Sequence, residues 1–284
     1  MALRRGFIDH LDYGSGASTT ATVGRVLSGT WEIDDGGDYD YSIGGYSASR
    51  DGLVSAKGNA TFLVTNSCKT VLALALRASI TANSLTDCVF QAGTSSEAYQ
   101  MLSSHIDSLK LTGRVNQSVQ AEISWVSRAP SVVAVPTWKS YDTGAPFQWF
   151  QGTCTIGGSA YTMQDFSIDL NNNVTAHTSL DVKSANSQRL PEELVDGNEI
   201  ISATFTVAVP ITSTIMDDPF ADNITFTNDI SLAFVNASSE TFTITMADLK
   251  LKSWSKPFAA GGDVVYWTLT MEPLPNTASG LTLA

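Results

Sequence analysis

Apolar and polar residues alternate along much of this chain, which is the pattern of β-strands that bury one face. A clear example lies at residues 118–125. The apolar positions there are Val119, Ala121, Ile123 and Trp125, and the polar positions between them are Ser118, Gln120, Glu122 and Ser124. The preceding Leu109 and Leu111 keep the same parity, so the pattern predicts a hairpin with one buried and one solvated face.

A second hairpin of this kind is predicted near the C-terminus. Its apolar positions are Phe242, Ile244, Met246, Leu249 and Leu251 on the outward run, and Val265, Trp267, Leu269 and Met271 on the return. The loop at 253–262 is rich in small residues and carries the aromatic residues Trp254 and Phe258. We expect these aromatic side chains to be exposed and to contact another molecule.

Four sequence features occur twice in the same order. They are an Asp-Gly step (51–52 and 196–197), the word Ala-Thr-Phe (60–62 and 203–205), the word Leu-Lys-Leu (109–111 and 249–251) and a strand that contains tryptophan (123–127 and 265–269). One short β-prone word can recur by chance, whereas four collinear words at similar separations indicate an internal repeat. We therefore predict a tandem duplication of one β-rich unit.

The repeat suggests a division of the chain into five segments. They are an N-terminal arm (1–24), a first β unit (25–130), a linker that packs against the protein (131–146), a second β unit (147–275) and a C-terminal tail (276–284). The arm and the tail contain few large apolar residues, so we expect neither to contribute to the core.

The remaining elements are predicted from turn and propensity signals. Hairpins are expected at 26–33 with 39–43 and at 166–170 with 174–182, because turn-forming Asp, Gly and Asn residues separate the runs. Leu and Ala predict a short helix at 69–78, with a weaker helical match at 213–221. A loop at 86–96 then leads to a strand at 99–106. The predicted fold is all-β, mainly antiparallel, with one or two short helices.

Composition and charge narrow the functional classes. Charged residues make up 15% of the chain, and the formal net charge is -12. This balance argues against nucleic-acid binding, which depends on Lys and Arg. The three cysteines Cys68, Cys88 and Cys154 have no zinc-site spacing and are expected to be reduced core thiols. No apolar run of transmembrane length or signal-peptide core is present, so we expect synthesis in the cytoplasm.

Residue types that support catalysis or metal binding do not cluster in the sequence. His10, His105 and His177 lack the spacing of metal ligands, and we find no nucleophile or nucleotide-binding motif. The acidic run at 34–40 lacks the closing glutamate of an EF-hand. Four tryptophans could form a sugar-stacking platform: Trp138, Trp149, Trp254 and Trp267. We predict no enzymatic activity, no cofactor and no metal site.

The order of these elements over residues 20–274 resembles that of the tail tube proteins of long-tailed bacteriophages and related archaeal viruses. The resemblance rests on the two Leu-Lys-Leu hairpins, the Asp-Gly strands and the short helix. It implies a tail-tube-like β-sandwich or barrel unit, present here twice, and a virion protein that stacks in rings around a channel for DNA. It also implies the tape measure, terminator and baseplate or tip proteins as partners, no membrane, no specific DNA binding and no catalytic residues.

The resemblance leads to expectations for individual residues. Five are expected to contact neighbouring subunits: Arg4, Arg5, Phe7, Trp254 and Phe258. Four are expected to face the lumen: Ser118, Gln120, Glu122 and Asp181. Because each chain holds two units, a trimeric ring with approximate sixfold symmetry is favoured over a hexamer. A carbohydrate-binding β-sandwich and a capsid-decoration protein remain as alternatives.

Overall fold

A computed structural model describes residues 10–34, 38–42, 45–50, 54–77, 84–177, 190–208, 225–226, 230–247, 249–255, 266–273 and 281–284. Its regular structure is almost entirely antiparallel β. The described segments also contain one α-helix, α1 at Lys69–Ala73, and 3-10 turns at Asn66–Cys68 and Trp149–Gln151. The predicted all-β class with one or two short helices is confirmed.

The strands are numbered along the chain. They are β1 (His10–Ser15), β2 (Ala21–Thr22), β3 (Arg25–Asp34), β4 (Asp38–Ser42), β5 (Gly45–Arg50), β6 (Ser55–Leu63), β7 (Cys88–Gly93), β8 (Ala98–Arg114), β9 (Gln120–Val133), β10 (Gly152–Ile156), β11 (Ser159–Asn171), β12 (Thr175–His177), β13 (Glu193–Val195), β14 (Ile200–Ala208), β15 (Thr225–Phe226), β16 (Ile230–Val235), β17 (Thr241–Met246), β18 (Leu249–Ser255), β19 (Tyr266–Pro273) and β20 (Leu281–Leu283).

Eight strands lie side by side in one large sheet, in the order β3-β6-β9-β8-β11-β14-β19-β18. Every neighbouring pair in this row is antiparallel. Burial alternates strictly along β6, β14 and the first half of β9, as the sequence pattern predicts for strands with one face against a core. We call the solvated side of this row the polar face and the other side the core face.

Shorter strands cover the core face in two groups. In the first, β1 pairs with β2 and β7, and β7 pairs with the beginning of β8. In the second, β10, β16, β17 and β20 are neighbours, and β10 also pairs with β11. Phe90 of β7 stacks on Trp125 at a ring distance of 4.1 Å, and Phe234 of β16 lies 5.8 Å from Phe166. The two groups and the large sheet therefore share one hydrophobic core.

Residues 10–23 and 281–283 belong to this architecture, which corrects the prediction that they form part of an arm and a tail. Leu11, Tyr13 and Val23 are buried, and Leu281 is buried beside β17. The sequence pattern missed these strands because small polar residues surround them. Pairing with β7 and β17 satisfies their backbone groups, so a few apolar side chains are enough to hold each strand.

The predicted linker does pack against the protein. The Lys139 amide donates to Asp12 Oδ2 at 2.9 Å, and the Trp138 indole donates to the Thr94 carbonyl at 3.2 Å. Asp142 accepts hydrogen bonds from the Thr65 hydroxyl and from the Gly144 amide. Burial opposes ionisation of Asp142, but these two hydrogen bonds, a third from Ser67 and the positive charge of Arg25 together outweigh it and lower the pKa of the carboxyl.

The two Leu-Lys-Leu hairpins are confirmed as β8 with β9 and β18 with β19. Two other predicted hairpins were wrong. Strand β3 pairs with β6, while β4 pairs with β5, and β12 pairs with β13 rather than returning along β11. The predicted loop at 86–96 contains β7. The predicted helix at 69–78 is shorter, and the match at 213–221 lies outside the described residues.

The two halves of the large sheet pair in the same order. Ala60 on β6 lies between Gly29 on β3 and Ile123 on β9. Ala203 on β14 lies between Ile168 on β11 and Met271 on β19. The row β3-β6-β9-β8 thus has the same connectivity as the row β11-β14-β19-β18, and the two Ala-Thr-Phe words occupy corresponding places.

The other repeated words are displaced. Ile123 lies opposite Leu109, whereas Met271 lies opposite Leu251. The second Leu-Lys-Leu word is therefore shifted by two residues along its strand. The two tryptophans do not correspond, because Trp125 lies opposite Gly58 and Trp267 opposite Val207.

The two rows join where β8 pairs with β11, and a glycine makes this close contact possible. Gly113 on β8 lies opposite Phe166 on β11. A Cβ atom at Gly113 would come within 2.2 Å of the Phe166 ring. The phenyl ring therefore lies across the glycine, and a larger residue there would force the ring or the backbone to move.

We expect Gly113→Ala to lower the free energy of unfolding by about 1–3 kcal/mol, because it overpacks the β8–β11 contact. Phe166→Leu should cost stability on its own and relieve part of this penalty in the double variant. Urea unfolding of the four proteins measures the coupling. Thr112→Ala, on the polar face next to Gly113, is the control and should change stability little. Strict additivity of the two substitutions would contradict the proposed overpacking.

Candidate assembly surface

The polar face of the large sheet extends across eight antiparallel strands. It is lined by the outward side chains of β6, β9, β8, β11 and β14, which alternate with buried positions. Most of these side chains are Ser, Thr, Asn and Gln. The Ser108 and Ser124 hydroxyls, for example, lie 2.6 Å apart across two strands. The hydroxyl and amide groups keep this face hydrated.

Several charged residues on the polar face occur as cross-strand pairs. Lys110 lies opposite both Glu122 and Asp169, and its Nζ is 3.3 Å from Asp169 Oδ1. Further opposed pairs along the large sheet are Lys57 with Glu32, Arg114 with Asp165 and Lys250 with Glu272. Each of these basic residues therefore has a carboxylate on the neighbouring strand. Exposed pairs of this kind add little stability, but they neutralise the face.

The predicted lumen residues fall in different places. Gln120 and Glu122 are on the polar face of β9, with Glu122 exposed. Ser118 precedes β9 and forms a bridge with Gln148, so it lies at the end of this strand. Asp181 is outside the described residues. The sequence indicated the face of β9 correctly, but it could not reveal Lys110, Asp169 or Arg114, because their proximity depends on strand register.

The two end strands of the large sheet are exposed. Along β3, Trp31 is half-buried and every other side chain is exposed. Along β18, Leu249 is buried, Leu251 is half-buried and the remaining side chains are exposed. Strand β15 covers the outer edge of β18 at Leu249 and Lys250. The edge from Leu251 to Ser255 has no further strand beside it in the described segments.

Among the predicted contact residues, Trp254 is described and lies on β18. Its side chain is 40% exposed and stacks on Trp267 at a ring distance of 5.3 Å. Arg4, Arg5, Phe7 and Phe258 lie outside the described residues. Trp138 stacks on His10, and Trp149 contacts Phe150 edge-on. The four tryptophans considered for sugar stacking are therefore divided among three separate aromatic contacts.

The histidines are held by local contacts. His105 Nδ1 is 2.6 Å from Asp196 Oδ1, and His105 Nε2 is 2.9 Å from Asp87 Oδ1. Asp196 Oδ2 also accepts a hydrogen bond from the Leu85 amide at 2.6 Å. His105 thus ties β8 to the segments that precede β7 and β14. In the parts of the chain that the structure describes, no group of three or more His, Cys, Asp or Glu side chains is arranged so that it could hold a metal ion.

The three cysteines are buried and unpaired, as predicted. Burial raises the pKa of all three thiols, and that of Cys154 reaches about 12. These thiols therefore stay protonated at neutral pH and behave as small core residues. No helix among the described residues has the length and apolar character needed to cross a bilayer.

Comparison with known proteins identifies the family. No curated protein matches the chain. A sequence model of the family described as phage tail tube protein matches residues 40–278, which is most of the chain. Proteins of this family are structural rather than enzymatic, and they belong to the tail of the virion. The chain is therefore a member of the phage tail tube protein family.

Proposed function

We propose that this protein is the major tail tube subunit and that it stacks in rings to form the channel through which viral DNA is delivered. The observation that supports this most directly is the large antiparallel sheet, which is apolar on one face, polar on the other and exposed at both end strands. Copies placed edge to edge would continue the sheet into a closed barrel. The barrel would hide the end strands, which otherwise invite uncontrolled pairing.

The chain carries two strand rows of the same connectivity, which supports the proposal of a tandem duplication. The two proposed units at 25–130 and 147–275 each supply one row of the large sheet. Three chains then provide six rows, so a trimer with approximate sixfold symmetry closes the ring. True threefold symmetry follows because the two halves differ in sequence and loop length.

In the ring, the polar face lines the bore. Four basic residues of the described face, Lys57, Lys110, Arg114 and Lys250, lie opposite carboxylates, so their charges are compensated. A phosphate passing along the bore meets few cations that lack a partner. The bore therefore holds DNA weakly and allows it to slide, because tight binding to the backbone needs uncompensated Lys and Arg.

Contacts between stacked rings would come from the extremities. The proposed contact residues are Arg4, Arg5 and Phe7, which precede β1 in the sequence, and Phe258, which follows β18. Because β1 contributes Leu11 and Tyr13 to the core, the part of the arm available for such contacts ends near residue 9. The tape measure, terminator and baseplate or tip proteins are the proposed further partners. The subunit is made in the host cytoplasm before assembly.

Symmetry analysis of assembled tubes by cryo-electron microscopy tests this proposal. We expect rings of three chains, with strand rows repeating six times around the bore. The density of neighbouring sixths of the ring should be compared. It should alternate between two patterns, one for each strand row of the chain. Six full chains per ring would contradict the role of the duplication in ring closure. Purified protein that forms no rings or tubes would contradict the proposed function itself.

The neutral bore generates a second test. The double variant Glu122→Gln with Asp169→Asn leaves Lys110 without an opposing carboxylate in every chain. Its tubes should retain a short DNA duplex during sedimentation at low salt and release it as salt is raised, because the interaction is electrostatic. Wild-type tubes should not retain the duplex under the same conditions.

The control adds Lys110→Gln to the double variant, which removes the uncompensated cation while keeping both neutral replacements. This triple variant should behave like the wild type. Equal DNA retention by all three tubes would show that Lys110 does not face the passing DNA.

A further inference from the structure

The contact between β8 and β11 inside the chain shows how one strand row joins the next. β8 belongs to the first row and β11 to the second, and they pair in antiparallel register. On the core face, Leu109 lies opposite Leu170 and Leu111 lies opposite Ile168. All four side chains are buried. This internal junction is therefore a complete example of a row-to-row contact.

The strand at the far end of the second row is β18, which corresponds to β8. Met271 corresponds to Ile123, because they lie opposite Ala203 and Ala60. Leu251 lies opposite Met271, and Leu109 lies opposite Ile123. Leu251 therefore holds the position of Leu109. A bulge at Lys252 follows, after which Trp254 lies opposite Leu269. Leu111 lies opposite Ala121 in the first row. Trp254 therefore holds the position of Leu111, on the core face.

The strand at the other end of the sheet is β3, which corresponds to β11. Gly29 lies opposite Ala60 as Ile168 lies opposite Ala203. Gly29 therefore holds the position of Ile168. The next residue pair gives the same correspondence. Ser28 lies opposite Thr61, and Ser167 lies opposite Thr204, so Ser28 corresponds to Ser167.

We propose that β18 of one copy pairs with β3 of the next copy in the register of the internal junction, with Trp254 opposite Gly29. The partner is a second copy of this chain, and the proposal rests on the ring proposed above. In the internal junction, Thr112 lies opposite Ser167. Ser255 holds the position of Thr112, and Ser28 holds that of Ser167, so Ser255 lies opposite Ser28 of the neighbouring copy.

The side chains at this junction complement each other in volume. The internal junction places two medium-sized side chains, Leu111 and Ile168, in one core-face position. The external junction combines a large residue, Trp254, with a residue that has no side chain, Gly29. Two medium residues and one large residue with glycine fill similar space, which is how close-packed interfaces tolerate different sequences.

The space that Trp254 would enter is present beside β3. A groove of about 580 Å³ is lined by residues that include Leu27, Gly29, Trp31 and Trp125. The buried indole nitrogen of Trp31 has no hydrogen-bond partner in the described structure. A tryptophan that is 40% exposed in the free chain would there become an aromatic anchor beside the Trp31 and Trp125 side chains.

Strand β15 sets where the junction begins. It already pairs with Leu249 and Lys250 on the outer edge of β18, so strand pairing with the next copy begins at Leu251. The position opposite Lys250, which Glu32 would hold in the register of the internal junction, is occupied by Thr225. The proposed junction therefore extends from Leu251 to Ser255 on β18, and β3 of the next copy leaves this edge before Glu32.

A disulfide across the junction tests the register. In the variant Ser28→Cys with Ser255→Cys, mild oxidation of assembled tubes should join neighbouring chains, because directly opposed residues are close enough to be bridged. The native cysteines are buried and should not interfere. The matched control is Thr61→Cys with Ser255→Cys. Thr61 is on the same face one strand further in, about 10 Å from the partner strand, and should not cross-link.

The size of the cross-linked product separates this inference from the proposed function. Complete oxidation should give covalent species of three chains and no larger, since the ring closes on itself. Cross-linking that continues to six chains would support the junction and contradict the trimer. Rings that form without the Ser28–Ser255 cross-link would overturn the junction alone. A wild-type protein that forms no rings would overturn both.

A second variant does not depend on cysteine chemistry. Trp254→Ala should leave the monomer folded and raise the protein concentration needed for assembly at least about tenfold, because a buried aromatic anchor is lost. The control is Trp149→Ala, since Trp149 is 37% exposed at a different surface. Its assembly should match that of the wild type. Equal assembly of Trp254→Ala and the wild type, measured by sedimentation, would overturn the anchor role of Trp254.

Discussion

The antiparallel pairing of β8 with β11 is the contact on which the rest of the architecture depends. It runs over seven residue pairs and joins two strand rows that would otherwise end in open edges. Its core side is apolar, and its polar side carries the Lys110–Asp169 ion pair. Gly113 leaves room for the Phe166 ring to lie across β8, so β8 and β11 pack closely at this point. Since the polar face and the core face both continue through the junction, the eight strands form one surface instead of two.

This continuity determines what the polar face can do. In the ring proposed above, a face of hydroxyl, amide and paired charged groups would stay hydrated and would bind polyanions weakly. The pairing arises from register, because Lys110 meets Glu122 and Asp169 only when β9, β8 and β11 are aligned as observed. The same alignment places Trp254 and Gly29 on the core face at opposite ends of the sheet. Strand register therefore determines both the charge pairing on the polar face and the positions of Trp254 and Gly29 at the two ends of the sheet.

Alternation in the sequence was enough to predict the class of fold, the two Leu-Lys-Leu hairpins and the solvent face of Gln120 and Glu122. It was not enough to predict which strands pair, because alternation defines the two faces of a strand but not its neighbours. The pairing of β3 with β6 joins residues far apart in sequence, and the pattern suggested a local hairpin instead. Bulges at Leu27, Gln164 and Lys252 each insert a residue, so equal words such as Leu-Lys-Leu need not be structurally equivalent.

In the proposed ring, fusing two units into one chain changes the assembly problem. Half of the row-to-row contacts become internal, and their formation no longer depends on protein concentration. The remaining contacts must still be distinguished from the internal one, because any free β3 could otherwise displace β11 from β8. Trp254 with Gly29 provides this distinction: Trp254 opposite Ile168 would be overpacked, and Leu111 opposite Gly29 would leave a cavity. In the proposed ring, the difference between the two rows at these positions makes each edge strand pair better with its correct partner than with the alternative.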